Sequence, residues 1–244
     1  MRKNVLFYGL VCLLALAACD KHDPILPGER TSIFDTTNIK TADTKIASLP
    51  DAAYEMPKTD CPYTQDSNNT VWRDERKIFI GFPTTNSVKN NAIPVCSGKF
   101  IYAGLTTGEL IKINSTNRQI VWIADIYRPS NMTGGASVLD IVAPIVVRDK
   151  DVYVGGLGDA FCKVNATSGV KTWCAEIGTA KPFIIAGDAI FVVATDGKLY
   201  ALRDKDGASY WAVDIKKQLT PKYENGIITI GHEKFDGITG KTIK

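Results

Sequence analysis

The sequence predicts an all-β fold built from tandem four-stranded repeats of the β-propeller type, about four blades of a reduced or incomplete ring, on three observations. Prolines at 94, 144 and 182 each open a short apolar run, and tryptophans at 122, 173 and 211 follow them at offsets of 28, 29 and 29 residues. The second strand of each repeat reads Phe100-Ile101-Tyr102-Ala103-Gly104, Val152-Tyr153-Val154-Gly155 and Ile190-Phe191-Val192-Val193-Ala194. These β-branched and aromatic runs suit a pleated, half-buried surface. Glycines stand between the runs, as in Ser97-Gly98, Thr107-Gly108, Ala186-Gly187, Asp196-Gly197, Asp206-Gly207 and Asn225-Gly226, where a tight hairpin asks for positive φ. Self-similarity at this period marks stacked units that bury their faces against one another.

Taken from the N-terminus, residues 1–18 have the three parts of a secretory leader: basic Arg2 and Lys3, an apolar run from Val5 to Leu14, and small residues before a cysteine. Leu16-Ala17-Ala18-Cys19 forms a lipobox, which assigns lipidation to Cys19 and an anchor in a membrane to the mature chain. An uncleaved anchor is the competing reading, although the apolar run is shorter than the roughly 20 residues a spanning helix needs. Residues 19–68 carry Pro24, Pro27, Pro50, Pro57 and Pro62 among polar residues without periodicity. They read as an extended tether that stands the folded body off the membrane.

The repeat domain is expected over 69–244, with a short strand at Lys77–Gly81 and copies near 91–126, 141–178, 180–215 and 219–244. Asn114–Arg118, Asn165–Gly169 and Asp204–Gly207 are equivalent turns before the tryptophan strands. Trp122, Trp173 and Trp211 are assigned to packing between blades, since large aromatics dominate such cores. The fourth copy departs from the pattern, with Lys244 where a tryptophan is expected. A strand from residues 70–81, including Trp72, is expected to complete the last blade by joining the two ends of the chain. The other readings are an arc completed by a partner and a homo-oligomer.

Composition narrows the function. The 244 residues hold 29 basic and 26 acidic side chains, and without Arg2 and Lys3 the excess nearly vanishes, which argues against a nucleic-acid partner. Setting aside Cys12 and Cys19, four cysteines remain for an oxidising compartment. Cys162 and Cys174 flank a turn and are either bridged or two buried free thiols. The cysteine spacing and the absence of clustered ligands indicate no metal site and no cofactor.

The segment Asp196-Gly197-Lys198-Leu199-Tyr200-Ala201-Leu202, followed by Asp206-Gly207 and Trp211, resembles the repeat of pyrroloquinoline-quinone-type propellers. With the lipobox and Leu26-Pro27-Gly28-Glu29-Arg30, the chain resembles the outer-membrane assembly lipoproteins of the BamB family, particularly alphaproteobacterial ones. That resemblance implies an eight-bladed propeller, more blades than this chain shows. It also implies a non-catalytic scaffold that binds the barrel-inserting subunit of the β-barrel assembly machinery from the periplasmic face of the outer membrane. One contact in the family is an Asp-Ile-Asp-Ala-Pro stretch. Here Asp140-Ile141-Val142-Ala143-Pro144 keeps the first acid and loses the second. Asp140, with Ser137, Val138 and Leu139 of the same loop, is therefore expected at the partner interface, or else Asp140 is a solvated loop or capping residue. Two alternatives stand beside the scaffold. Quinone-dependent dehydrogenases share the repeat, but the two histidines, His22 and His232, supply few acid-base groups. Asp20 after the lipidated cysteine suggests an inner-membrane lipoprotein with another binding role.

Overall fold

The structure is a computed structural model that describes residues 39–88, 92–127 and 138–243. The leader, Cys19, Asp20, Ser137 and Lys244 lie outside the described residues. Five antiparallel sheets follow one another along the chain. Sheet 1 holds β1 (Thr64–Gln65), β2 (Thr70–Arg73) and β3 (Arg76–Ile80). Sheet 2 holds β4 (Val95–Ser97), β5 (Phe100–Gly104), β6 (Glu109–Asn114) and β7 (Ile120–Asp125). Sheet 3 is β8 (Val146–Arg148), β9 (Asp151–Gly155), β10 (Phe161–Asn165) and β11 (Lys171–Ala175). Sheet 4 is β12 (Ile184–Ala186), β13 (Ala189–Val193), β14 (Lys198–Arg203) and β15 (Ser209–Asp214). Sheet 5 is β16 (Lys222–Glu224), β17 (Ile227–Ile230), β18 (Glu233–Asp236) and β19 (Thr242–Ile243). Within each sheet the strands pair in chain order, so every sheet is a meander closed by short turns.

The inner strands of sheets 2 to 4 are buried on both faces, which is why they read as continuous apolar runs rather than alternating ones. Residues of alternating parity serve different neighbours. In β13, Ile190 and Val192 pack toward sheet 3, while Ala189, Phe191 and Val193 pack toward sheet 5. Sheet 5 differs: β17 buries Ile228 and Ile230 against sheet 4, while Ile227 and Thr229 stay partly exposed. Among the described residues the apolar clusters join sheets 1 and 2, 2 and 3, 3 and 4, and 4 and 5.

The three tryptophans make one repeated contact. Each sits on the fourth strand of its sheet and donates its indole N–H to a carbonyl in the last turn of the next sheet: Trp122 to Ala166 at 3.1 Å, Trp173 to Asp204 at 2.9 Å, Trp211 to Gly237 at 3.1 Å. Three residues after each acceptor stands a glycine at positive φ, Gly169, Gly207 and Gly240. A Cβ there would lie 2.5–2.8 Å from the docked ring. Glycine is thus required twice, for the left-handed backbone and for the close approach. A β-bulge falls at the same place in sheets 2, 3 and 4, opposite the approach to the tryptophan, where it twists the strand and re-aims its side chains.

Two expectations are corrected. Residues 64–80 do not join β16–β19; they form sheet 1, because Val71 buries with Tyr63 against Ile101, Ile111 and Ile113 of sheet 2. Residues 39–63 do not stand off the body either. They run across it as a strap. Residues 40–42 pair with β15, Ile46 is buried against sheets 4 and 5, and the Tyr54 N–H donates to the Ile185 carbonyl at 2.7 Å. The Tyr54 hydroxyl reaches the Val147 carbonyl at 3.0 Å. The apolar side chains of the strap are shared among three core clusters between different pairs of sheets, so their spacing carries no local period.

Two disulfides add to this frame. Cys162 and Cys174 are direct partners on β10 and β11, and Cys61 joins Cys96, tying the end of the strap to sheet 2. By chain entropy, cross-links of these spans stabilise by about 3 and about 4 kcal/mol respectively.

Substituting Gly207→Ala places a methyl group in the Trp173 ring and strains the backbone, so urea unfolding followed by tryptophan fluorescence should show a loss of about 2–4 kcal/mol. Gly197 has positive φ but nothing within 4 Å of its would-be Cβ, and Gly197→Ala should cost only about 1 kcal/mol. Equal losses in the two variants would contradict the docking contact. Alkylation of the unfolded, unreduced chain should leave Cys61, Cys96, Cys162 and Cys174 unlabelled, with all four labelled after reduction.

Candidate functional site

The loops at one end of sheets 1 and 2 meet around a buried asparagine. Asn69 has positive φ, which a short polar side chain tolerates, and it is buried. Its amide nitrogen donates to the Phe82 carbonyl at 2.7 Å and to the Thr106 hydroxyl at 2.8 Å, and its amide oxygen accepts from the Thr106 N–H at 2.8 Å. The Thr84 hydroxyl adds a bond to Thr106 at 2.7 Å. One side chain thereby fixes the turn of sheet 1, the segment after β3 and the β5–β6 turn of sheet 2.

Asp140 completes the assembly from the other side. Its Oδ2 accepts from the Ser87 hydroxyl and from the Val88 N–H, each at 2.8 Å, and its carbonyl accepts from the Leu157 N–H at 2.9 Å. Asp140 is buried. It is therefore not a solvated loop residue here; it holds the 82–88 segment in place. Val138 and Leu139 are half-buried beside it.

Between these supports runs an open groove of about 520 Å³, walled by Phe82, Pro83 and Thr84 on one side and by Thr106, Tyr127 and Leu139 on the other. Gly108 lets Tyr127 and Leu139 close on the turn, since a Cβ there would lie 2.7 Å from the Tyr127 ring. Phe82 is 85% exposed although its backbone is held by Asn69. A large aromatic offered to solvent on a fixed backbone is suited to seating in a partner's surface.

The tryptophan contacts lie elsewhere and are structural. Lys112 and Lys163 share them: Lys112 Nζ donates to the same Ala166 carbonyl as Trp122, and Lys163 Nζ donates to the Asp204 carbonyl as Trp173 does, at 3.3 Å. Burial lowers the Lys112 ammonium from its ordinary value and raises the Tyr102 hydroxyl to about 12. Asp204 also accepts from Tyr153 and Arg148, and burial followed by the Asp204 hydrogen bond raises the Tyr153 hydroxyl. Sequence reasoning missed these lysines, yet a signal existed: a charged residue ten positions before Trp122 and Trp173 in an otherwise apolar strand. It also missed Asn69 and Phe82, which no spacing marks. Among the described residues no group of three or more His, Cys, Asp or Glu is placed to hold a metal ion.

Four-stranded meanders joined by an indole that docks on the next blade's turn define a β-propeller repeat protein of the pyrroloquinoline-quinone type. The model of the family described as "Outer membrane protein assembly factor BamB" matches residues 54–213. The chain belongs to that family. Outer membrane protein assembly factor BamB of Yersinia pestis is 24% identical over 149 residues, 59% of this chain and 38% of that protein. The protein of the same name from Salmonella typhimurium is 23% identical over 148 residues, with the same coverages. This chain thus spans under two fifths of the length of the curated relatives it matches. Among solved structures, BamB from Moraxella catarrhalis superposes with a TM-score of 0.52 at 14% identity, over 81% of this chain and 67% of that one. A quinohemoprotein alcohol dehydrogenase from Pseudomonas putida also gives 0.52, at 13% identity over 75% of this chain and 40% of that one. Both likenesses show the fold.

Replacing Asp140 by alanine strands the Val88 N–H, a loss of about 1–3 kcal/mol. Amide hydrogen exchange should rise across 82–88 and stay unchanged in β13 and β14. Protection of 82–88 equal to that of the parent protein would count against Asp140 as the support of this loop.

Proposed function

We propose that this chain is a non-catalytic scaffold of outer-membrane protein assembly, held to the periplasmic face of the outer membrane by lipid on Cys19. It docks the barrel-inserting subunit through the loop surface of Phe82, Tyr127, Val138 and Leu139. The observation that carries this reading is family membership over 54–213, joined to an exposed aromatic on a loop surface braced by Asn69 and Asp140. The family's acidic contact does not carry over in its original form, because the retained acid is buried. In its place the surface offers Phe82 and Leu139, so docking here is apolar at its centre.

A pull-down through the full chain in mild detergent should recover the barrel-inserting subunit, and Phe82→Ala should weaken the complex by about 2 kcal/mol, as truncation of an anchoring aromatic does. Recovery of no such subunit, or an unchanged affinity for Phe82→Ala, would overturn the role or the surface respectively. Separating the two membranes on a density gradient tests the anchor: the scaffold reading places the chain with the outer membrane, and the aspartate at position 20 motivates the inner-membrane reading.

A further inference from the structure

The turn that receives an indole in sheets 3, 4 and 5 is present in sheet 2 without one. Ser115 takes the place of Ala166 and Asp204: its N–H donates to the Lys99 carbonyl at 2.9 Å, as theirs donate to the Lys150 and Asp188 carbonyls at 2.8 Å. Three residues on, Arg118 has the left-handed backbone of Gly169, Gly207 and Gly240, with φ 60°. Its N–H closes the turn on the Asn114 carbonyl at 2.8 Å. The turn is therefore the same, but the Cβ of Arg118 stands where a docked ring would lie. Among the described residues nothing donates to the Ser115 carbonyl.

The vacated seat opens into the cleft of about 760 Å³ between sheets 1 and 2. That volume is in the range of a small-molecule site, and its walls carry charge. Arg73 and Arg76 flank the β2–β3 turn on one side, and Arg118 stands with Ser115 on the other. Of the arginines among the described residues, Arg148 is ion-paired with Asp204, and Arg203 with Asp43 and Asp206. The other three all line this cleft, and none of them has an ion-pair partner among the described residues. Arg73 lies over the Tyr63 ring, 5.8 Å from its centroid, which orders the guanidinium without neutralising it. Asp74 and Glu75 are exposed at the tip of the same turn.

Unpaired guanidiniums around one space are donors awaiting an acceptor, and their planar fork grips a phosphate or a carboxylate with two parallel bonds. The two acids at the turn decide between these. A segment rich in aspartate and glutamate would bring like charge against Asp74 and Glu75 along its length. A phosphate monoester instead concentrates about 1.5 to 2 negative charges at one point, and a polyol attached to it supplies neutral hydroxyl donors. We infer that the cleft between sheets 1 and 2 binds a phosphorylated saccharide, its phosphate held by Arg73, Arg76 and Arg118 and its hydroxyls donating to Asp74, Glu75 and the Ser115 carbonyl. The site is separate from the Phe82 surface.

The test is isothermal titration calorimetry of the full chain in mild detergent with glucose 6-phosphate, and with glucose, inorganic phosphate and a hexa-aspartate peptide as comparisons. Glucose 6-phosphate should bind more tightly than any of the three. Arg118→Gly gives the turn the residue that its repeats carry, so its melting temperature should equal or exceed that of the parent, while affinity for glucose 6-phosphate should fall about tenfold or more. Arg73→Gln should show a similar loss, and Phe82→Ala should bind as the parent does. No binding by the parent, equal affinity in Arg118→Gly, or a comparison ligand that binds as tightly as glucose 6-phosphate overturns the proposal; if that ligand is hexa-aspartate, the cleft belongs to an acidic polypeptide. A free sugar phosphate and a glycolipid headgroup share the recognised chemistry. Competition by the dodecyl glycoside of glucose 6-phosphate in mixed micelles, tighter than by the free sugar phosphate, supports the site with a lipid headgroup as its source, and equal or weaker competition supports it with the free sugar phosphate.

Discussion

Sheets 3, 4 and 5 each depend on an indole that belongs to the sheet before. A meander of three or four short strands is marginal by itself, and here the fourth strand of one sheet is seated only when its tryptophan docks on the last turn of the next. The hydrogen bond from the indole N–H contributes about 0.5–1.5 kcal/mol. Burying a ring of about 150–250 Å² contributes several times more, about 4–6 kcal/mol at 25 cal/mol per Å². Burial therefore supplies the energy and the hydrogen bond supplies the orientation. Glycine at 169, 207 and 240 is the condition for both, because any side chain there would fill the space of the ring.

That contact also explains where the row of sheets is regular and where it is not. In sheet 2 the equivalent turn residue is Arg118, at positive φ without being glycine, and across from that turn stands Ile78 on β3 of sheet 1. The turn and Ile78 border an open cleft of about 760 Å³ rather than a closed contact. Sheet 1 is instead tied to sheet 2 by Val71 in the shared core, by Asn69 across the loops and by the Cys61–Cys96 bridge on the strap side. Different chemistry does the work of the missing indole.

The strap matters for the same reason. Running over the first strands of several sheets, it links units that otherwise touch only their neighbours, and it turns a row of pairwise contacts into one body. The loops at the end near Asn69 and Asp140 inherit that rigidity, which lets Phe82 remain exposed without its backbone being free.

Much of this was legible in the amino-acid sequence. The repeat, the order of its strands, the turns and the role of the three tryptophans follow from spacing and residue type, because a propeller blade is local: its strands are consecutive and its turns need particular backbone angles. Fine placement was not legible. Asp140 could be read as a contact on the surface, and only the fold shows it enclosed by Ser87 and Val88, since its partners come from a loop fifty residues away. Residues 39–63 could be read as a tether, because apolar side chains that dock on several different sheets leave no period. Sheet 1 could be read as the closing piece of the last blade, because pairing choices among short strands are decided by which apolar face they find. The sequence alone thus determined the repeating unit and its internal latch; the tertiary structure decided which carboxylate is buried and what crosses the blades, since these depend on contacts between residues far apart in the chain.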